Sequence, residues 1–182
     1  MNYKNVRKFI SKLRNKFIFI DLKLNDTVNT MISAVNAIKD LKINYLTVHI
    51  SAGLAALKAV KKVSGKIKII GVTTLTSLND NDLKLIGYNK SIKNLVIHQA
   101  KLAKKASLDA LVCSPHEVSA VRKIFKKEII TPGVQIGKKN YDQKRSMKAK
   151  KVRSDWLVIG RAITRGNICL LYTSDAADDR VS

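Results

Sequence analysis

Six short runs of apolar, β-favouring residues punctuate this chain, and the stretches between them repeat their apolar side chains at helical spacing. The runs cover residues 17–20 (FIFI), 44–50 (NYLTVHI), 67–73 (IKIIGVT), 109–113 (DALVC), 128–131 (EIIT) and 156–159 (WLVI). Helical spacing predicts helices over residues 6–13, 29–41, 54–63, 80–86, 91–106 and 118–125; in the second, Met31, Ile32, Val35 and Ile38 share one side. Residues 134–141 read as a loop rich in Gly, Lys and Asn, and residues 143–152 as a weak helical segment. Strand–helix alternation of this kind calls for a parallel sheet built from βα units. No Gly-x-Gly-x-x-Gly follows any run, which disfavours a dinucleotide-binding fold. A (β/α)8 TIM barrel fits better, although a complete one usually takes about 200 residues or more. The expectation is therefore an α/β chain forming an incomplete barrel, with about six of eight βα units visible.

Polar residues gather where the runs end: Asp21 and Lys23, His49 and Ser51, Thr76 and Ser77, Ser114, Pro132 and Gly133, Gly160 and Arg161. In parallel α/β folds these strand ends are where ligands bind. The most constrained stretch is residues 17–27, FIFIDLKLNDT. Its continuous apolar run reads as a strand buried on both faces, which then stops in Asp21, Lys23 and Asp26. Residues two apart on a strand share a face, so Asp21 and Lys23 point the same way. Charges beside a buried strand are costly unless paired. On spacing alone this pattern fits a strand-end ion pair with Asp26 capping the next helix as well as it fits a reacting group. Thr76 and Ser77 fit helix caps equally well, and a lone Arg161 fits a solvated surface. His49 reads as a strand-end histidine and Cys113 as a small core residue, and neither His98 nor His116 is given any chemistry.

Charge and composition narrow the function classes. The net charge of +22 over 182 residues would suit a nucleic-acid binder if the basic residues were massed on one face. Instead lysines are spread along nearly every helical stretch, as at Lys58, Lys61 and Lys62 or Lys101, Lys104 and Lys105. With aromatic residues at 5%, stacking platforms for bases are scarce. The excess lysine together with abundant Ile and Asn resembles the bias of an AT-rich genome, so no nucleic-acid partner is expected. A positive field that draws in phosphorylated anions is the milder consequence. The apolar share is 46% and no run is long enough to span a bilayer, so no membrane partner is expected. Cys113 and Cys169 lack metal-ligand or redox spacing, which fits a reducing, cytoplasmic setting.

These motifs, taken in order, resemble the orotidine 5′-phosphate decarboxylase family over about residues 6–168. DLKLNDT resembles the family's Asp-x-Lys-x-x-Asp signature, and VTTLTS, LVCSPHE, TPGVQ, DQKR and LVIGRAIT follow in family order. The first motif is shared with magnesium-dependent sugar-phosphate decarboxylases and synthases of the same superfamily, one rival reading. VTTLTS with DQKR and the Ile-Gly-Arg triplet narrows it to the orotidylate branch. The resemblance implies a cofactor-free, metal-free, homodimeric lyase that converts orotidine 5′-phosphate to UMP and carbon dioxide in pyrimidine biosynthesis. It implies that Lys23 donates a proton to C6 of the pyrimidine and that Asp21 lies beside the substrate carboxylate. Asp26 and Thr27 would reach into the partner subunit's site. Thr76 and Ser77 would meet the pyrimidine edge, and Gln143, Gly160 and Arg161 would hold the phosphate.

The chain also departs from the family pattern. Set against the family, the first two strands and the last helix of the barrel are expected to be missing, and with those strands the early Asp and Lys that contact ribose and complete a Lys-Asp-Lys-Asp tetrad. Gln135 stands where a phosphate-side arginine is usual, which weakens one anion contact. The segment between Met147 and Trp156 is short and strongly basic. Residues 169–182, CLLYTSDAADDRVS, resemble a translated sequencing adapter and form an expected non-native tail after a partial barrel domain at 1–168. The expectation for this polypeptide by itself is that it is inactive.

Overall fold

Chain order and spatial order coincide in the main sheet of the computed structural model, which describes residues 3–13, 16–132, 134–135, 147–148 and 153–159. The strands are β1 (Phe19–Leu24), β2 (Tyr45–His49), β3 (Lys68–Val72), β4 (Ala110–Val112), β5 (Glu128–Thr131), β6 (Val134–Gln135), β7 (Met147–Lys148) and β8 (Trp156–Leu157). α1 (Tyr3–Lys12) precedes β1, and between the strands lie α2 (Val28–Ile38), α3 (Leu54–Val63), α4 (Asp80–Leu85), α5 (Ile92–Lys105) and α6 (Val118–Ile124). The main sheet runs β1-β2-β3-β4-β5-β8 with every pairing parallel, while β6 and β7 form a separate two-stranded pair. This is the expected incomplete (β/α)8 arrangement.

Strand periodicity divides the side chains between two faces. Leu46, Val48, Ile69, Leu111 and Ile129 point outward and pack against Met31, Val35, Leu57, Val60, Val96 and Val121 of the helices. Gly71 belongs to this outer face because nothing larger fits: an added Cβ would lie 2.8 Å from Leu108 Cδ1 and 3.0 Å from Ile50 Cδ1. The inner face carries Tyr45, Ile70, Ala110 and Ile130.

At the N-terminal end of the strands the inner face is polar and self-satisfied. Glu128 accepts hydrogen bonds from Tyr45 Oη, from Lys68 Nζ at 2.6 Å and from Trp156 Nε1 at 2.9 Å. The Phe17 ring stacks on Trp156 with centroids 5.7 Å apart and tilts against Tyr45 at 4.9 Å. Phe17, two residues before β1, and Trp156, the first residue of β8, therefore join the two edges of the sheet through an aromatic pair. Burial alone would raise the Glu128 carboxyl, but the donors Lys68, Tyr45 and Trp156 outweigh it and hold the group below the usual glutamate range.

Two expectations fail. The apolar run at 17–20 is not a strand buried on both faces: β1 begins at Phe19, runs through Asp21 and Lys23 to Leu24, and is largely exposed. It pairs only with β2, so Phe17, Phe19 and Leu22 are 57%, 37% and 50% exposed where further strands would cover them. The basic segment is also not helical where it is described, since Met147–Lys148 pairs with Val134–Gln135, a stretch expected to be loop. The rest of that segment and the tail at 169–182 lie outside the described residues.

Candidate active site

Asp21 and Lys23 meet on one side of β1. Their side chains form an ion pair while remaining about half exposed, at 46% and 43%. Lys23 has φ +50, one of two non-glycine residues with positive φ among those described. Left-handed backbone costs an L-residue roughly 1–2 kcal/mol and persists only where neighbours hold it. The neighbour is Thr47, on β2 and fully buried. Its Oγ1 accepts the Lys23 backbone N–H at 2.8 Å and donates to Asp21 Oδ1 at 2.8 Å. The β1–β2 register shifts between Ile20 and Leu24, so the kink falls across the two charged residues.

The chain then enters α2. Asp26 Oδ1 accepts the Thr27 N–H at 2.6 Å, and Thr27 is the residue preceding the helix, with no side-chain cap. Asp26 therefore does not cap α2 in the ordinary sense, which needs an acceptor for the second or third helical N–H. Thr27 Oγ1 lies 3.0 Å from Thr30 Oγ1, and both Asp26 and Thr27 are exposed. Ser51 donates to Asn25 Oδ1 at 3.4 Å, linking the turn after β2 to the end of β1. His49 ends β2; burial first, then the nearby Lys23 charge, push its imidazole below the ordinary histidine value against an opposing pull from Asp21. At neutral pH it is a neutral imidazole.

A third group follows β3. Thr73 donates both N–H and Oγ1–H to the Val112 carbonyl, at 3.1 and 2.8 Å. Gln99 Oε1 then accepts from Thr74 N at 2.9 Å and Thr74 Oγ1 at 3.1 Å, all within the buried interior. Thr76 is half-buried and Ser77 exposed. Neither caps α4, since that role belongs to Asn79, which exchanges hydrogen bonds with Asp82 in a capping box. Asp80 Oδ1 accepts the Ile92 N–H at 2.7 Å, so the Thr76–Ser77 turn is anchored to α5 on both sides. A cavity of 140 Å³ opens beside it, with His49, Ser51, Thr74, Leu75 and Gln99 in its wall.

Of the residues singled out from sequence, Asp21 and Lys23 are brought together, and Asp26, Thr27, Thr76 and Ser77 lie in the segments just beyond the C-terminal ends of β1 and β3. Gln135 falls in β6. Gln143, Gly160 and Arg161 lie outside the described residues. Cys113 is a buried core residue, as expected. Two residues escaped the sequence reading. Thr47 sits in a run of apolar strand residues, and Gln99 falls on the apolar stripe Ile92, Leu95, Val96, Gln99, Ala100, Ala103. For Gln99 a lone polar residue on an apolar stripe was the available sign, whereas Thr47 shares its strand face with Tyr45 and His49 and gave no such sign.

Comparison with known proteins bears on what this constellation belongs to. Residues 3–167 match the model of the "Orotidine 5'-phosphate decarboxylase / HUMPS family". A Wolbachia pipientis orotidine 5′-phosphate decarboxylase is 46% identical over 157 residues, covering 82% of this chain and 70% of the relative. A Pasteurella multocida protein of the same name is 42% identical over 175 residues, covering 88% and 74%. The crystal structure of orotidine 5′-phosphate decarboxylase from Lactobacillus acidophilus superposes with a TM-score of 0.80 at 27% identity, covering 95% of this chain and 80% of that one. The magnesium-dependent and nucleic-acid-binding alternatives find no support among these relatives. A parallel half-barrel with an Asp–Lys pair at its strand ends, matched over most of its length by proteins of one name, belongs to the orotidine 5′-phosphate decarboxylase family.

Proposed function

We propose that this chain supplies the proton donor, Lys23, for the family's reaction, decarboxylation of orotidine 5′-phosphate to UMP in pyrimidine biosynthesis. The observation that carries the reading is the Lys23 ammonium held against Asp21 at a strand end by a hydroxyl-pinned backbone. Loss of carbon dioxide breaks the bond between C6 and the carboxylate and leaves the electron pair on C6. No delocalising cofactor is needed if a fixed cation faces that carbon, because it stabilises the developing charge and then transfers a proton to it. Asp21 gives Lys23 an ionic partner within the site. Its repulsion of the substrate carboxylate is relieved as the neutral product departs.

The remaining assignments follow the same chemistry. Thr76 and Ser77 meet the pyrimidine edge; Gln143, Gly160 and Arg161 hold the phosphate, with Gln135 a weaker contact there. A planar guanidinium after a glycine suits a phosphate, and binding that remote group can offset the cost of reaching the transition state. Exposed Asp26 and Thr27 reach the site of a second subunit in a cytoplasmic homodimer.

Because β1 pairs on one side only, the polypeptide by itself is expected to show no measurable turnover, and measurable turnover would overturn that expectation. The decisive variant is Lys23→Ala in a chimera that adds the part of the Wolbachia relative this chain does not cover. Turnover should fall by roughly 1,000-fold or more. An undiminished rate would sink the assignment.

A further inference from the structure

We infer that Thr47 is a positioning residue for the proton donor, setting the Lys23 backbone and the Asp21 carboxylate with a single hydroxyl; this rests on the role proposed for Lys23. The hydroxyl has one proton and two lone pairs. Here the proton goes to Asp21 Oδ1 and a lone pair takes the Lys23 N–H, each at 2.8 Å. Both partners lie on the neighbouring strand, at positions where an ordinary parallel ladder is interrupted: the pairing slips between Ile20 and Leu24. Lys23 cannot receive a regular ladder bond at that point with φ +50, so the Thr47 side chain takes the place of a backbone acceptor.

Thr47 is suited to this in a way its neighbours are not. It faces inward on β2 between Tyr45 and His49, and it is fully buried. A β-branched residue on a central strand has few rotamers, so its oxygen is fixed relative to β2. β2 is itself paired on both sides, to β1 and β3. The half-exposed pair on the edge strand is thus referenced to the rigid interior through one atom. Without it, the Asp21–Lys23 ion pair would still form, since both side chains reach each other directly, but its place relative to the barrel axis would no longer be set. A displacement of about 1 Å in a reacting group can cost roughly 100-fold in rate.

Two variants test this. Thr47→Val keeps the shape and removes the oxygen; Thr47→Ser keeps the oxygen. In the 182-residue chain, hydrogen exchange at the Lys23 amide should quicken about tenfold in T47V and stay close to the original rate in T47S. In the chimera, T47V should lower kcat by roughly 10- to 100-fold with little change in KM, and T47S should restore most of it. An original-rate Lys23 amide in T47V, or an unaltered kcat there, would overturn the inference. So would a loss in T47S equal to that in T47V. If instead Lys23→Ala leaves turnover intact, it is the proposed function that fails, and the exchange measurement still judges the Thr47 contact on its own.

Discussion

At the N-terminal end of the sheet the polar groups satisfy one another, whereas at the C-terminal end they are pinned in place but left half open. Glu128, Tyr45, Lys68 and Trp156 are the first residues of β5, β2, β3 and β8, and they close a network across the barrel interior. Asp21, Lys23, Thr76 and Ser77 lie at or beyond strand C-termini, and three of these four are exposed. In the first region hydrogen bonds end on other members of the network. In the second, buried Thr47 holds the exposed Asp21 and Lys23, and buried Gln99 holds Thr74, two residues before Thr76. The same strands thus carry a region built for curvature at one end and a region built for contact with a ligand at the other.

That contrast can be broken by experiment. Its sharpest test is Lys23→Ala in the chimera, where a loss of roughly 1,000-fold or more in kcat should come with almost no change in Tm. Glu128→Ala should do the reverse: a loss of about 2 kcal/mol, read as a fall of roughly 4–8 °C in Tm, with kcat within about twofold of the original. Most of that loss belongs to the Tyr45 hydrogen bond, because Lys68 and Trp156 are both half exposed and the Lys68 charge is screened. A large kcat effect from Glu128→Ala would mean that the two ends are coupled. Gln99→Leu should lower kcat/KM by about tenfold through a misplaced Thr76–Ser77 turn, and Gln99→Glu, which keeps an acceptor for Thr74, should recover part of it.

The smallest effect is the pH dependence of stability. Glu128 is held below its ordinary value, so its contribution is complete above the usual glutamate range and is lost as pH falls through the lowered value. Hydrogen bonding to Glu128 raises Lys68; burial, then the Glu128 hydrogen bond, raises Tyr45. Their contributions are complete below their ordinary values and are lost as pH climbs through the raised ones. Tm should therefore be flat near neutrality and fall at both extremes, with Glu128→Gln flattening the acid limb.

Much of this organisation was legible in the chain. The helix at Leu54–Val63 matches its predicted bounds, and β2, β3, β4 and β5 lie within or at the predicted runs, because their apolar residues are buried by neighbours on both sides. The Asp21–Lys23 pairing was legible for a simpler reason, since residues two apart on a strand share a face. The burial of residues 17–20 was misread because an apolar run reports what would be buried in a complete sheet, and β1 has one neighbour. Gln99 was missed because a single polar residue on an apolar face looks the same whether it is tolerated or used, and Thr47 because a β-branched residue in a strand run reads as ordinary strand composition.

Local pattern alone determined the order of strands and helices, the parallel sheet and the Asp–Lys pairing, since each depends on side-chain periodicity over a few residues. Tertiary structure alone decided that a β2 hydroxyl would hold the kinked Lys23 backbone, that an α5 amide would anchor the turn after β3, and that Phe17 would stack on Trp156. Those contacts join residues far apart in the chain: strand pairing brings Thr47 to Lys23, helix packing brings Gln99 to Thr74, and the curl of the sheet brings Phe17 to Trp156.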